Sequence, residues 1–210
     1  MRHPEPAEFA AEDGVMLRGQ LWDRGPHTAL LVHRPGGDLD RWTPLARALE
    51  AVDVSVLAFD LRGHGLSDGV WIANLLRHDI AVARRWLAER YRGLSILIGE
   101  DRAAGECSRI ADDGSVSALV LLSPIEPHGA QGRESASPKL IVVGGQEVAR
   151  LALARDHYDR FVGPRLLMDL PTAAQGADLL RGPGSSHLLE SINAFLAVDL
   201  GLKRNARVRL

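Results

Sequence analysis

The chain holds one cysteine, Cys107, among 210 residues, so no disulfide can form within it. Aromatic residues are few, at 5%. Neither charge dominates: 25 Lys+Arg stand against 27 Asp+Glu, a formal net charge of −2. That balance argues against nucleic acid as a partner. No window approaches the roughly 18 consecutive apolar residues of a membrane span. Met1-Arg2-His3-Pro4-Glu5-Pro6 lacks the apolar core of a secretory signal, so a cytoplasmic location is expected. No Cys/His/Asp cluster has metal-ligand spacing, and no glycine run matches a P-loop or a dinucleotide fingerprint; neither metal nor cofactor is expected.

What is present is ordinary for a globular protein: 46% hydrophobic and 25% charged residues. Residues 8–13 and 15–23 suit a hairpin turning at Asp13-Gly14. Apolar strand-like runs then cover 27–33, 55–60, 94–98, 118–123, 139–145 and 165–170. Between them lie helical stripes. Trp42, Leu45, Leu49 and Val52 form one, and Ile72, Leu76, Ile80, Ala83 and Leu87 a second. Leu151, Ala154, Tyr158 and Phe161 form a third, and a last helix, capped by Ser185, carries Leu188, Leu189, Ile192 and Phe195. Residues 124–138 read as loop. Alternating strands and helices predict an α/β fold with a mostly parallel sheet and helices on both faces. Residues 1–200 read as one domain and residues 201–210 as a basic tail.

The stretch that organises the rest is Leu94-Ser95-Ile96-Leu97-Ile98-Gly99-Glu100-Asp101-Arg102-Ala103-Ala104. It reads as a buried strand, a sharp turn and a helix start. Gly99 and Ala103 flank the turn at the spacing of the G-x-S-x-G nucleophile elbow, and Asp101 stands where that motif has serine. Cys107, in the following helix, reads as a small buried apolar residue.

With the runs 29–38 and 56–67 added, the whole chain resembles the α/β-hydrolase family. It is most similar to small dienelactone-hydrolase-like and serine-esterase-like members. The resemblance implies an eight-stranded sheet. The roughly fifteen residues between the runs ending at 123 and starting at 139 are too few for a cap domain, by the resemblance. It also implies places for a nucleophile, a His base, an acid and oxyanion donors. Asp101 falls at the nucleophile, Gln175 at the histidine and Glu147 at the acid, a triad without its usual residues. Gln175 cannot take a proton at neutral pH. His33, Arg34 and Pro35 form the oxyanion loop. Pro35 has no N–H to donate, while Arg102 supplies the other donor. His187 is the rival base.

Two readings of Asp101 stand side by side. It can cap the helix that follows it, or act as a nucleophile, as its resemblance to dehalogenases and epoxide hydrolases implies. The expectation is therefore a protein without ordinary esterase activity, binding a small molecule or catalysing a non-hydrolytic step. The alternatives are a hydrolase using Asp101 as nucleophile or base, and a conventional esterase or thioesterase with a differently placed triad. The expected partner is a small-molecule ligand or substrate, and a homodimer is compatible with the sequence.

Overall fold

A computed structural model describes residues 3–125 and 135–202. Eight strands form one sheet: β1 (Glu5–Ala10), β2 (Met16–Trp22), β3 (His27–Val32), β4 (Val54–Phe59), β5 (Ser95–Glu100), β6 (Ala118–Leu122), β7 (Lys139–Gly144) and β8 (Arg165–Leu170). Their spatial order is β1-β2-β4-β3-β5-β6-β7-β8. β2 runs antiparallel to both neighbours and every other pairing is parallel. Five helices flank the sheet: α1 (Thr43–Glu50), α2 (Leu76–Arg90), α3 (Asp101–Ala111), α4 (Val148–Arg160) and α5 (Ser185–Leu200).

The strands from β3 to β7 are buried almost throughout, because each bears apolar side chains on both faces. On one face Leu76, Ile80, Ala83 and Leu87 of α2, Cys107 and Ile110 of α3, and Ala154 of α4 close over Leu30, Leu57 and Leu97. On the other, Leu45 and Leu49 of α1 and Leu188, Ile192 and Phe195 of α5 cover Leu31, Val56 and Ile98. Cys107 is buried, as its sequence setting predicts. β5 and α3 meet closely at Gly99, where a Cβ would stand 2.8 Å from Cys107 Sγ and 2.9 Å from the Ala104 nitrogen.

Several boundaries differ from the periodicity. The stripe beginning at Ile72 starts its α-helix only at Leu76; Ile72 precedes a short 3-10 turn over Ala73–Leu75 and is 43% exposed. Ser185 does not cap the last helix. Gly184, with φ 88°, takes the N-cap position without any side-chain bond, and Ser185 is the first helical residue. After β8 the chain winds into a 3-10 helix over Gly176–Leu180. The loop expected over 124–138 lies partly outside the described residues, as does most of the basic tail.

Two buried cations brace the scaffold. Arg62, 3% exposed, sends Nε and Nη2 to Asp79 of α2 at 2.7 and 2.6 Å and Nη1 to Asp13 of the hairpin turn at 2.7 Å. Lys139 is fully buried at the start of β7, where Nζ donates to the carbonyls of Ser135, Ser137 and Val162.

Candidate functional site

The strand order reverses around β3, with β4 on one side and β5 on the other. In open α/β sheets the crevice beyond the carboxyl ends at such a switch point is where ligands bind. The loop after β3, the β5–α3 turn and the loop after β8 converge there.

Asp101 sits at the β5–α3 turn with φ 55°, in the left-handed region that non-glycine residues seldom adopt. Its carboxylate is 18% exposed. Oδ1 accepts the Arg102 N–H at 2.8 Å, and Oδ2 lies 3.1 Å from Nη1 of Arg150 on α4. A negative charge at the first turn of α3 is favourable, and both oxygens already have donors.

The loop after β3 spends its N–H groups on neighbours. Arg34 donates to Glu100 Oε1 at 3.2 Å, Gly36 to His64 Nε2 at 2.8 Å and Gly37 to the Arg34 carbonyl at 2.9 Å. Pro35 has none to give. His33 lies wholly buried beneath the loop. Its Nε2 accepts the Leu61 N–H at 3.0 Å, so the ring proton is on Nδ1 and is donated to the Arg34 carbonyl at 2.7 Å.

Burial pulls the His33 pKa down from 6.5 to about 4, so the folded protein holds this ring neutral. Between pH 6.5 and 4 the unfolded chain binds a proton that the folded chain refuses, and stability falls as the pH falls through that window. The loss amounts to about 3 kcal/mol from this ring. Urea midpoints between pH 7 and 4 check it: His33→Gln should be less stable at pH 7 but show a flatter profile. An unchanged slope in that variant would assign the acid sensitivity elsewhere.

Glu100, fully buried at the end of β5, links the site's two sides. Oε1 accepts from Arg34, and Oε2 accepts the Ala177 N–H at 2.7 Å from the loop after β8. Gly176, with φ 57°, passes so close that a Cβ there would stand 2.1 Å from Glu100 Oε2. The Gly176 N–H donates to Ser123 Oγ at 2.9 Å. Arg41 reaches in from the 3-10 turn over Leu39–Trp42, with Nε 3.5 Å from Glu100 and Nη2 2.8 Å from Asp178.

Gln175 begins this same loop. Its Nε2 donates to the Gly144 carbonyl at 2.8 Å, and its Oε1 is buried with no hydrogen-bond partner among the described residues. Glu147 is exposed at the N-cap of α4, and His187 is exposed on the first turn of α5. Neither side chain bonds to Asp101 or Gln175. Glu100, Arg41, Ser123 and Arg150 escaped the sequence reading. Glu100 carried a signal, being a charged residue at the end of an apolar strand; Arg150 had none beyond its charge. Among the described residues, no group of three or more His, Cys, Asp or Glu side chains could hold a metal ion, and no helix is long and apolar enough to cross a membrane.

No family model matches the chain. Solved structures do. An esterase of Pyrococcus furiosus superposes with a TM-score of 0.74 at 17% identity, covering 93% of this chain and 90% of that one. The α/β hydrolase GrgF from a Penicillium species gives 0.79 at 16% identity, over 95% and 99%. A serine hydrolase without a lid from Xanthomonas campestris gives 0.77 at 19% identity, over 94% and 95%. The chain has the α/β-hydrolase fold, and among the described residues no lid domain is inserted between its strands. At such identities the α/β-hydrolase likeness carries the architecture and no activity. A curated relative, the dihydrolipoyllysine-residue acetyltransferase component of an acetoin cleaving system from Cupriavidus necator, is 31% identical over 124 residues, 56% of this chain. The chain spans about a third of that relative's length, 32%.

Proposed function

We propose that this α/β-hydrolase-fold protein does not hydrolyse esters through a Ser-His-acid triad, and that the crevice around Asp101 serves as a binding site for a small molecule. The observation that supports this most is the state of the donors. A tetrahedral intermediate needs N–H groups aimed at its oxyanion. Here the Arg102 N–H is bonded to Asp101, the Arg34 and Gly36 N–H groups to Glu100 and His64, and Pro35 has none. The side chain on the turn is a carboxylate paired to Arg150, and the amide of Gln175, at the start of the loop after β8, cannot serve as a base. Small p-nitrophenyl esters should be turned over no faster than by an unrelated protein surface, and Asp101→Ala should leave that background unchanged. A clear fall in turnover in Asp101→Ala overturns the reading.

One observation favours a second reading, attack by Asp101 on carbon. The carboxylate stands on a raised, strained turn, is partly exposed, and lies 3.1 Å from the Arg150 guanidinium. Asp101 would then open an epoxide C–O bond, the ring oxygen taking a proton from water, or displace halide from a haloacid, leaving an ester seen as a mass increase on the peptide containing Asp101. An unmodified intact mass across such a panel removes this reading.

A further inference from the structure

We propose that two copies of this chain pair through β8, antiparallel and centred on Leu167, extending the sheet across a two-fold axis. β8 is an edge strand of the sheet and is only half-covered. Its main-chain groups face two ways. The carbonyls of Pro164 and Leu170 accept from Lys139 and Gly145 at the β7 side. In a parallel ladder a residue's N–H and C=O point the same way, so the even-numbered residues face β7 and Arg165, Leu167 and Asp169 face outward.

An antiparallel partner can bond only where outward groups meet outward groups. Centred on Leu167, all three outward residues satisfy this: Leu167 meets the partner's Leu167, and Arg165 meets the partner's Asp169 on both sides of the axis. Each pair exchanges two hydrogen bonds. Centres at Leu166 or Met168 pair only two outward residues of each copy and leave the charges unmatched. Charged edge residues commonly block strand pairing. Here they have opposite signs and four-residue spacing, so the axis converts them into two cross-strand ion pairs. Arg165 has a further mark: its Nε is buried without a hydrogen-bond partner among the described residues.

The side chains agree. Leu166, 54% exposed, and Val198 of α5, 82% exposed, border a groove of about 600 Å³ floored by Met168 and Phe195. In the Leu167-centred register Leu166 stands opposite the partner's Met168, so each copy brings an apolar side chain to the other's groove. A closed, self-complementary contact of this kind yields a dimer and stops there.

The test is the mass in solution and a cross-link. Light scattering on the 210-residue chain should give twice its 22.8 kDa mass at micromolar concentration. Asp169→Arg, which sets arginine against arginine, should shift the dissociation constant at least about tenfold towards monomer, and adding Arg165→Asp should restore the dimer. The Cα atoms of a hydrogen-bonded pair lie about 5.5 Å apart, within disulfide range. Leu167→Cys should therefore form a disulfide-linked dimer on mild oxidation, while Leu166→Cys should not; Cys107 is buried and does not compete. A wild-type monomer at every concentration, a dimer indifferent to the charge reversal, or cross-linking at position 166 and not 167 overturns the proposal. Circular dichroism of each variant confirms that a lost dimer reflects the interface.

Discussion

Arg62→Met should destabilise the protein by about 3–5 kcal/mol, read as a lowered urea midpoint at pH 7. The guanidinium is nearly all that compensates Asp79, whose side chain is fully buried on α2 and takes two of its N–H groups. Methionine fills much the same space and leaves that carboxylate buried with its donors removed. The size of the effect comes from the abandoned charge more than from the worth of the pair. Asp79→Asn in the same background should therefore recover part of the loss. Asp13, 46% exposed, can return to water, so Asp13→Ala should cost far less. Equal losses for Asp13→Ala and Arg62→Met would mean that the hairpin contact, not the buried one, carries the stability.

The combined change Asp101→Ser, Gln175→His and Pro35→Gly should create esterase activity at least about 10²-fold above wild type, while each single change yields none. Serine at 101 removes the carboxylate that engages the Arg102 N–H and places a hydroxyl on the raised turn. Glycine at 35 supplies an N–H to the loop between Arg34 and Gly36. An imidazole at 175 gains a base, and the Gly144 carbonyl, which accepts from Gln175, is at hand to orient its ring N–H. Glu147, exposed at the α4 N-cap, is then not required. Hydrolysis of p-nitrophenyl acetate and labelling by a fluorophosphonate probe check the result. A folded triple variant that neither labels nor hydrolyses would show that these three positions are not the equivalents of a triad.

The sheet was legible because its strands are local and apolar: the runs through β3, β4, β5 and β6 need no distant information to be read as buried. Asp13-Gly14 marked the first hairpin for the same reason, and Gly14 does take φ 84°. The ends of helices were harder. Ile72 has the spacing of α2 yet stays at the surface, because the chain enters through a 3-10 turn that periodicity does not register. Gly184 caps α5 through its backbone conformation, which no side chain advertises. Lys139 begins an apolar strand and looks like a solvated end; only the fold brings three carbonyls around its ammonium. At the candidate site, Asp101 and Gln175 could be placed at the end of β5 and in the loop after β8 by their position along the chain. Arg150 and Arg41 could not, since they arrive from other elements and meet their carboxylates only in three dimensions.

Glu100 has a bearing on how a ligand would be received. Its two oxygens hold amides 143 positions apart in the chain, Arg34 and Ala177, as one body at the carboxyl end of β5. The walls on either side are thus ordered before anything enters, and the entropy of closing two independent loops has been spent during folding. A visitor gains contacts without first having to organise them, so weak individual contacts can still sum to useful affinity. The same linkage makes the walls answer together: whatever displaces the loop after β3 pulls, through one carboxylate, on the loop after β8.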